Sequence, residues 1–588
     1  LEQWGLRVHR PLSLGLLFSL LSFAANAACP GSPSTCGDPM QTATSGSAMY
    51  ATAYGVTADG ATSDDEALKA AVDACAAKGT KLILPPGRIL LDGTGSATIN
   101  LKNCHVEGAG ILAGKQGDGA SFGTLFLLTS TTVKPFKIGS NWKVSGVGFH
   151  WPHQTTGLTP YPFLMSPETP TTATTSWTLD NVVIVNAYNG IQAAGGAFFI
   201  TNSLMYATNE LFEIASIGDS FKVNNVHFTP GPWFNMTGFA AAAAMNAVTN
   251  QNMIFRFMGG GGVPAINVNV GNSSGFAWRY GAVVESGVTV GLSTFDWYLD
   301  ATGTVVEVRA GGTWGPGSSM SGGAICHHYD DANRTQYGNK PCFNIMPGAN
   351  PSYLDIRDWN GASGGSFVEN QASANVTLKN VAVTIGQSAD GGDYYGVHTT
   401  SNPGGLVVMV QNSNLNGAPG DVHRHGIKTD VAASRLIVQD TLFAYLNDSL
   451  NAQAAPTTIV TGNWSFGTTG AQDIVTATLG YATGIVYRSN QWEKPPKAVA
   501  TACGTGCSVA GGALSGFITV GSTNPTTSGT LTLPFSPYGV GDGLCRFYIN
   551  GSGTPVAAAT AGSGVWNFNS GATDMHGAAL FFNCPGQE

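Results

Sequence analysis

Apolar and polar positions alternate along most of this chain in a unit that recurs many times. The unit is an apolar residue, a spacer, a second apolar residue, a spacer, Asn or Asp, two further residues and an apolar one. It stands at Trp177-Thr178-Leu179-Asp180-Asn181 ending on Ile184, at Phe198 to Asn202 ending on Met205, and at Phe221 to Asn225 ending on Phe228. It returns at Leu354 to Asp358, Val376 to Asn380, Val408 to Asn412 and Leu436 to Asp440, with weaker copies around Asn463 and Asn490. Successive Asn or Asp positions lie 21, 23, 22, 32, 28, 23 and 27 residues apart once the less regular stretch 240–350 is set aside. Alternation predicts strands with one buried face, and a period of roughly 20 to 50 residues predicts a solenoid. No helix follows each strand, so arrays that alternate strand and helix fit poorly. Stacked coils of strand and turn remain, with strands about 4.8 Å apart along the axis. Asn suits the bend because it tolerates left-handed backbone and can hydrogen-bond the Asn of the next coil. A row of unrelated sandwiches is the alternative.

Two segments break the pattern. Ser63-Asp64-Asp65-Glu66 reads as a capping box, and Leu68, Ala71, Val72 and Cys75 follow at helical spacing up to Gly79, which predicts one capping helix. From about Ala498 short apolar runs alternate with Gly, Ser and Pro through Gly516 to Val520, Thr530 to Leu533, Cys545 to Ile549 and Ala578 to Cys584. This predicts a compact β-module over 498–588.

Composition sharpens the picture. Charged residues make up 10% of the 588, and there are 79 glycines, a balance suited to many short strands and tight turns. The net charge of −9 and the lack of a basic stripe argue against nucleic acid. Arg7, His9 and Arg10, the apolar run Leu12 to Phe23, and Ala25-Asn26-Ala27 read as a secretory signal peptide over 1–27, followed by a linker over 28–50. The apolar run is too short to insert as a membrane span. The expected location is extracellular or periplasmic. The ten cysteines fall in local groups: Cys29 and Cys36, Cys75 and Cys104, Cys326 and Cys342, and the last four, Cys503, Cys507, Cys545 and Cys584. In an exported chain such grouping predicts disulfide staples; zinc is the rival for the last four, at spacings that match no common finger. No cofactor or metal is expected.

Tyr54-Gly55-Val56-Thr57-Ala58-Asp59-Gly60, then Ser63 to Leu68 and Leu82-Ile83-Leu84-Pro85-Pro86-Gly87, resembles the opening motif of the pectate-lyase-like superfamily. That superfamily includes polygalacturonase-type hydrolases, rhamnogalacturonase-like proteins and tailspike depolymerases, and the coil pattern extends the resemblance over 51–495. Ser220 to Pro230 resembles a coil of tailspike-like bacterial members, and Ala502 to Gly586 a domain appended to phage tail proteins. The fold expected is therefore all-β: a right-handed parallel β-helix with an N-terminal capping helix, then a small β-sandwich-like domain. The resemblance implies carbohydrate binding and a homotrimer; the reaction differs between members. Polygalacturonase-type hydrolases carry Asn-Thr-Asp, Asp-Asp, Gly-His-Gly and Arg-Ile-Lys in that order. Here Asp330-Asp331 and His425-Gly426-Ile427-Lys428 are fragments of it, with no Asn-Thr-Asp before them.

Hydrolysis of a glycosidic bond calls for two carboxyl groups, about 5–5.5 Å apart for retention and 6.5–9.5 Å for inversion. Asp390-Gly391-Gly392-Asp393, with Tyr394, Tyr395 and His398 behind it, is the first candidate, and a solvated turn is the reading without chemistry. Asp330 and Asp331 beside His327 and His328, bounded by Cys326 and Cys342, form the second. Asp296 and Asp300 flank Trp297-Tyr298, and either would need a partner on another coil, such as Glu285. Trp278 and Trp297, with Tyr394 and His398, are the expected sugar contacts; Trp151, Trp233 and Trp359 are further stacking candidates, core packing being the default for any of these tryptophans. Elimination would instead use Arg424 or Lys428 near His423 and His425; a solvated, charged turn is the bland reading of those four. The function expected is a secreted polysaccharide-degrading hydrolase working in a groove over 280–400. A polysaccharide lyase and a non-catalytic adhesive protein are the alternatives.

Overall fold

A computed structural model describes residues 48–583 except 95–97, 111–122, 156, 168–175, 217–219, 238–251, 260–264, 316, 327–339, 351, 373, 387–391, 402–405, 432–434, 453–456, 471–484, 494–498, 502–506, 512–514, 521–527, 533–544, 551, 553, 563–564 and 571–578. The expected signal peptide, linker and first cysteine pair lie outside the described residues, as do Asp330, Asp331 and Asp390.

The alternating units become parallel strands stacked in register, forming a right-handed β-helix. Trp142 lies opposite Trp177, Trp177 opposite Phe198, and Phe198 opposite Phe221 on four successive coils. Each inward row is thereby a file of like side chains. The Trp142 and Trp177 rings stack with centroids 5.1 Å apart, a contact that adds about 0.5–1.5 kcal/mol beyond area burial. The bends behave as the pattern predicts. Asn181, Asn202, Asn225, Asp358, Asn380, Asn412 and Asp440 all hold positive φ. Asn202 donates to Asp180 at 3.0 Å, Asn225 to Asn202 at 2.8 Å and Asn380 to Asp358 at 2.8 Å. A β-branched residue at Asn202 would cost about 1–3 kcal/mol in backbone strain and would break the file of amides.

The residue after each bend has a second device. The backbone N–H of Val182 donates to Ser203 Oγ, that of Val226 to Ser273 Oγ and that of Val381 to Ser413 Oγ. The left-handed bend interrupts the strand ladder, and a short hydroxyl one coil on satisfies the N–H it leaves buried. In the last coils this order shifts by one residue. Gly462 and Ser489 take the left-handed positions, while Asn463 and Asn490 follow them and hydrogen-bond each other at 2.9 Å inside the coil.

The described residues of the less regular stretch 240–350 keep the coil. Asn272 and Asp296 hold the bend there with φ of 45° and 51°. One helix caps the coil, α1 (Asp65–Lys78), and a short second one, α2 (Gly231–Thr237), interrupts it. The expected capping box does not form. Asp64 instead accepts from Thr57 N at 2.8 Å and Thr57 Oγ1 at 3.0 Å, and Asp65 accepts from Asp92 N and Gly93 N. These carboxyls bind the opening loop to the next coil, and burial raises the Asp65 pKa above the usual range. Cys75 bonds to Cys104 and Cys326 to Cys342, both within the predicted groups.

The C-terminal module is a separate, curled antiparallel sheet of eight strands between Val499 and Asn583. Its core is Ile518, Leu531, Phe547, Phe568, Leu580 and Phe582. Cys507 and Cys545 are each disulfide-bonded, as expected of staples. Among the described residues no helix is long and apolar enough to cross a membrane.

Candidate functional site

One flank of the coil carries a continuous run of charged side chains. Its strands stack in the order β1 (Ala197–Ser216), β2 (Met253–Phe257), β3 (Tyr280–Val284), β4 (Thr304–Val308), β5 (Phe343–Ile345), β6 (Val368–Asn370), β7 (Tyr394–Thr399), β8 (Arg424–Thr429) and β9 (Asp448–Ala452). One register column runs the whole way: Glu213, Arg256, Val283, Glu307, Asn344, Glu369, His398, Lys428 and Asn451. Eight steps of about 4.8 Å make it roughly 38 Å long.

The β1–β4 end is a closed ladder of ion pairs. Arg256 contacts Glu210 at 3.4 Å, Glu213 at 3.8 Å and Glu285 at 3.0 Å. Arg309 contacts Glu285 at 2.8 Å and Glu307 at 3.0 Å. Glu285, an expected catalytic carboxylate, is thus held between two guanidinium groups. Glu210 lies beneath Arg256; burial, reinforced by Glu213, pushes its carboxyl up to about 7.

The β6–β9 end is different. The hydrolytic candidates on β7 and the basic residues proposed for elimination on β8 are neighbours. Tyr394 pairs with Arg424, Tyr395 with His425, His398 with Lys428, and His425 with Asp448. His425 Nδ1 lies 2.8 Å from Asp448 Oδ2 in a buried pair. Its Nε2 has no hydrogen-bond partner among the described residues and sits 3.8 Å from Asp393 Oδ1. An imidazole oriented by a carboxylate on one nitrogen, with the other directed to an open carboxylate, can carry a proton in either direction.

The surrounding groups set the charges. His423 Nδ1 at 2.8 Å holds the Asp393 carboxyl below the usual range. His398 faces Glu369 through Nδ1 at 2.8 Å and Asp430 through Nε2 at 3.0 Å. Burial works against its charged form, but the two carboxylates outweigh it and the pKa rises. With acceptors on both nitrogens, His398 is an imidazolium and no base. Tyr395 lies between the two imidazoles, its ring 4.3 Å from that of His398 and 5.0 Å from that of His425. Burial raises its phenol, with Lys428 only partly offsetting the effect. Lys428 reaches the Tyr395 hydroxyl at 3.4 Å and Asp430 at 3.4 Å. Arg424 lies buried over the Tyr394 ring, paired with Asp421 at 3.0 Å and bonded to Gly392 O. Gly426 makes this packing possible, since a Cβ there would meet Ser449 O at 2.3 Å.

Several expected residues play other parts. Asp296 is a bend residue, exposed on the coil corner. Trp278 and Trp297 are core residues, as are Trp151, Trp233 and Trp359; Trp278 spends its indole N–H on Phe228 O at 3.0 Å. None of these rings is open to a sugar. Among the described residues the exposed aromatics are Tyr50, Phe295, Tyr298, Tyr353, Tyr445, Trp464 and Phe466. Tyr445 ends three residues before Asp448 and packs on Phe466 with centroids 5.0 Å apart. Glu369, Asp430 and Asp448 belong to the cluster although sequence reasoning passed over them. The described residues contain no group of three or more metal-ligating side chains placed to hold an ion.

No family model matches the chain, and no curated protein sequence does. Solved structures match at low identity. The catalytic unit of a GH87 α-1,3-glucanase from Streptomyces thermodiastaticus is 11% identical, covering 78% of this chain and 70% of its own, with a TM-score of 0.37. The pre-mature gene product 12 of bacteriophage phi29 is 12% identical over 73% of this chain and 57% of its own, with a TM-score of 0.47. PfbA, a surface adhesin of Streptococcus pneumoniae, is 13% identical over 73% and 91%, with a TM-score of 0.36.

Proposed function

We propose that this chain is an exported protein that hydrolyses glycosidic bonds in a polysaccharide lying along the β6–β9 flank. The observation that carries the reading is the buried Asp448–His425 pair with its second nitrogen directed at the open Asp393 carboxylate. His425, protonated on Nε2, gives that proton to the leaving glycosidic oxygen as the bond from the anomeric carbon to that oxygen breaks. Asp393, 3.8 Å from Nε2 and so closer than an acid and a nucleophile stand across a glycosidic bond, holds that proton in place until the sugar enters. Water supplies the new hydroxyl, and its proton returns to the pair. Asp448 keeps the imidazole in place throughout. General acid–base assistance of this kind is worth about 10²–10⁴ in rate.

Elimination from a uronate has less support. It requires a cation to neutralise the sugar carboxylate, and Lys428, Arg424 and His398 are each already committed to a carboxylate of the protein. Export is supported by the leader-like N-terminus and by disulfides that persist in oxidising compartments.

The test is incubation of the full chain with a panel of polysaccharides, following reducing ends and ultraviolet absorbance of unsaturated uronates. Reducing ends without that absorbance are expected. Both signals together would replace hydrolysis by elimination, and binding with neither would leave the adhesive reading.

A further inference from the structure

We infer that the sheet following the bends is a second polysaccharide-binding surface, which takes an uncharged polymer along the coil axis between Tyr298 and Trp464. It is separate from the β6–β9 flank and needs no cleavage there. Alternate side chains of its strands point outward, while Leu299, Val383, Leu415 and Phe443 between them fill the core.

One outward register column passes from Tyr298 through Gly323, Asn360, Ala382, Asn414 and Leu442 to Trp464. Six steps of about 4.8 Å make it roughly 29 Å long. Two residues further along each strand, a second column holds Thr384, Asn416, Ala444 and Phe466. Neither column contains a charged side chain, whereas the flank on the next sheet of the same coils is charged throughout. Asp300 near the Tyr298 end, with Asp358 and Asp440 on the bends, stands along the edge. A polyanion would meet like charge there and no countercharge on the sheet; an uncharged chain meets no penalty.

Both ends of the column present aromatic rings to solvent. Tyr298 is 43% exposed and lies over Gly323, where a Cβ would stand 3.0 Å from Cδ2 and 3.2 Å from Cε2 of the ring. The glycine makes room for the ring to lie against the sheet with its outer side open. At the other end Trp464 is 56% exposed, and Phe466 packs edge-to-face with Tyr445. Tyr445 repeats the arrangement of Tyr298, its ring lying where a Cβ on Gly467 would have to go. Its φ of 55° is a left-handed value that strains a bulky residue. Between the ends stand amides without other duties. The bend amides are spent on one another, Asn225 on Asn202 and Asn380 on Asp358. The side chains of Asn360, Asn414 and Asn416 have no hydrogen-bond partner among the described residues. An amide donates and accepts, as a sugar hydroxyl does, and an aromatic face matches the C–H face of a sugar ring. A peptide would instead pair with the backbone of a free sheet edge or fill a groove with apolar anchors.

The experiment is affinity electrophoresis of the full chain in the cold, through gels holding dextran, soluble starch, galactomannan or xyloglucan, with polygalacturonate and chitosan as charged polymers. At least one neutral polymer is expected to retard the native chain more than either charged one. Trp464→Ala and Tyr298→Ala, each with its melting temperature kept, are expected to weaken that binding by about fivefold. Asn360→Asp, at an exposed position, puts a charge into the column and is expected to weaken it as well. No retardation by any neutral polymer, stronger retardation by a charged one, or native affinity in any of the three folded variants would overturn the inference. Binding of this kind without release of reducing ends would sink the hydrolytic reading alone. Cleavage of a polymer that the three substitutions leave equally well bound would sink this surface alone.

Discussion

The two ends of the charged flank are built from the same register column yet handle charge in opposite ways. In the β1–β4 ladder, Arg256 and Arg309 tie together Glu210, Glu213, Glu285 and Glu307. At the β6–β9 end carboxylates outnumber cations and imidazoles take the places of guanidinium groups. An arginine keeps its proton at any relevant pH and closes a ladder; a histidine exchanges its proton near neutrality and leaves it open. Position along the solenoid is no guide to chemistry. The proton capacity of the residue standing in each register position decides it.

The largest effect on folding is expected in the closed ladder. Arg256→Met leaves Glu210 and Glu213 without their cation and Glu285 with Arg309 alone, and removing one partner of a buried ion pair costs about 3–5 kcal/mol; urea denaturation would read it as a lower midpoint. A loss below 1 kcal/mol (on the order expected of an exposed pair) would mean that the ladder is a surface ornament and that the contrast fails.

Glu210 gives the next test. Its folded value of about 7 lies above its unfolded one, so the folded state binds the extra proton and stability falls as pH rises from the unfolded value through the folded one. Glu210→Gln removes that dependence. The variant is expected to gain about 2–3 kcal/mol over the native chain at pH 8 and nothing at pH 4. A gain of equal size at both values would remove titration as its cause.

His398 is the smaller counterpart at the open end. Its raised pKa contributes stability that is fully present below the unfolded histidine value and is lost as pH rises through the folded one. His398→Gln is therefore expected to destabilise measurably under mildly acidic conditions and less above the raised value. The opposite trend in thermal melts would show that the ring is neutral between Glu369 and Asp430.

The coil was legible because its physics is local and repeated: alternation sets the strands, and Asn or Asp at the bend recurs where left-handed backbone is required. Asp296 shows the limit: the aromatics beside it suggest a catalytic carboxylate, yet an acidic residue closing an apolar-alternating run is the signal of a bend, and Asp296 holds one. The tryptophans mislead for a related reason: Trp297 and Trp359 fall on the inward phase of pleated strands, and Trp151, Trp233 and Trp278, which lie outside the strands, are buried as well. The site was half legible. Asp393, Tyr395 and His398 lie 30 residues before His423, His425 and Lys428, which is one coil in that region, between the 32- and 28-residue intervals of the neighbouring bends. Adding one coil length to each candidate would have joined the two groups. Adding the next interval of 23 carries His425 to Asp448, the carboxylate that orients it. Which of the stacked charges remain open could not be read that way, because it depends on side-chain directions across coils.

Hydrolysis at this flank depends on His425 moving the proton. The most direct measurement is release of reducing ends by His425→Asn, alongside the native chain and Arg256→Met, on a polymer the native chain cleaves and below the melting temperature of each. Turnover reduced by about a hundredfold or more in His425→Asn with its melting temperature kept, and near-native turnover in a less stable Arg256→Met, is the expected result. Near-native turnover in a folded His425→Asn chain would contradict it.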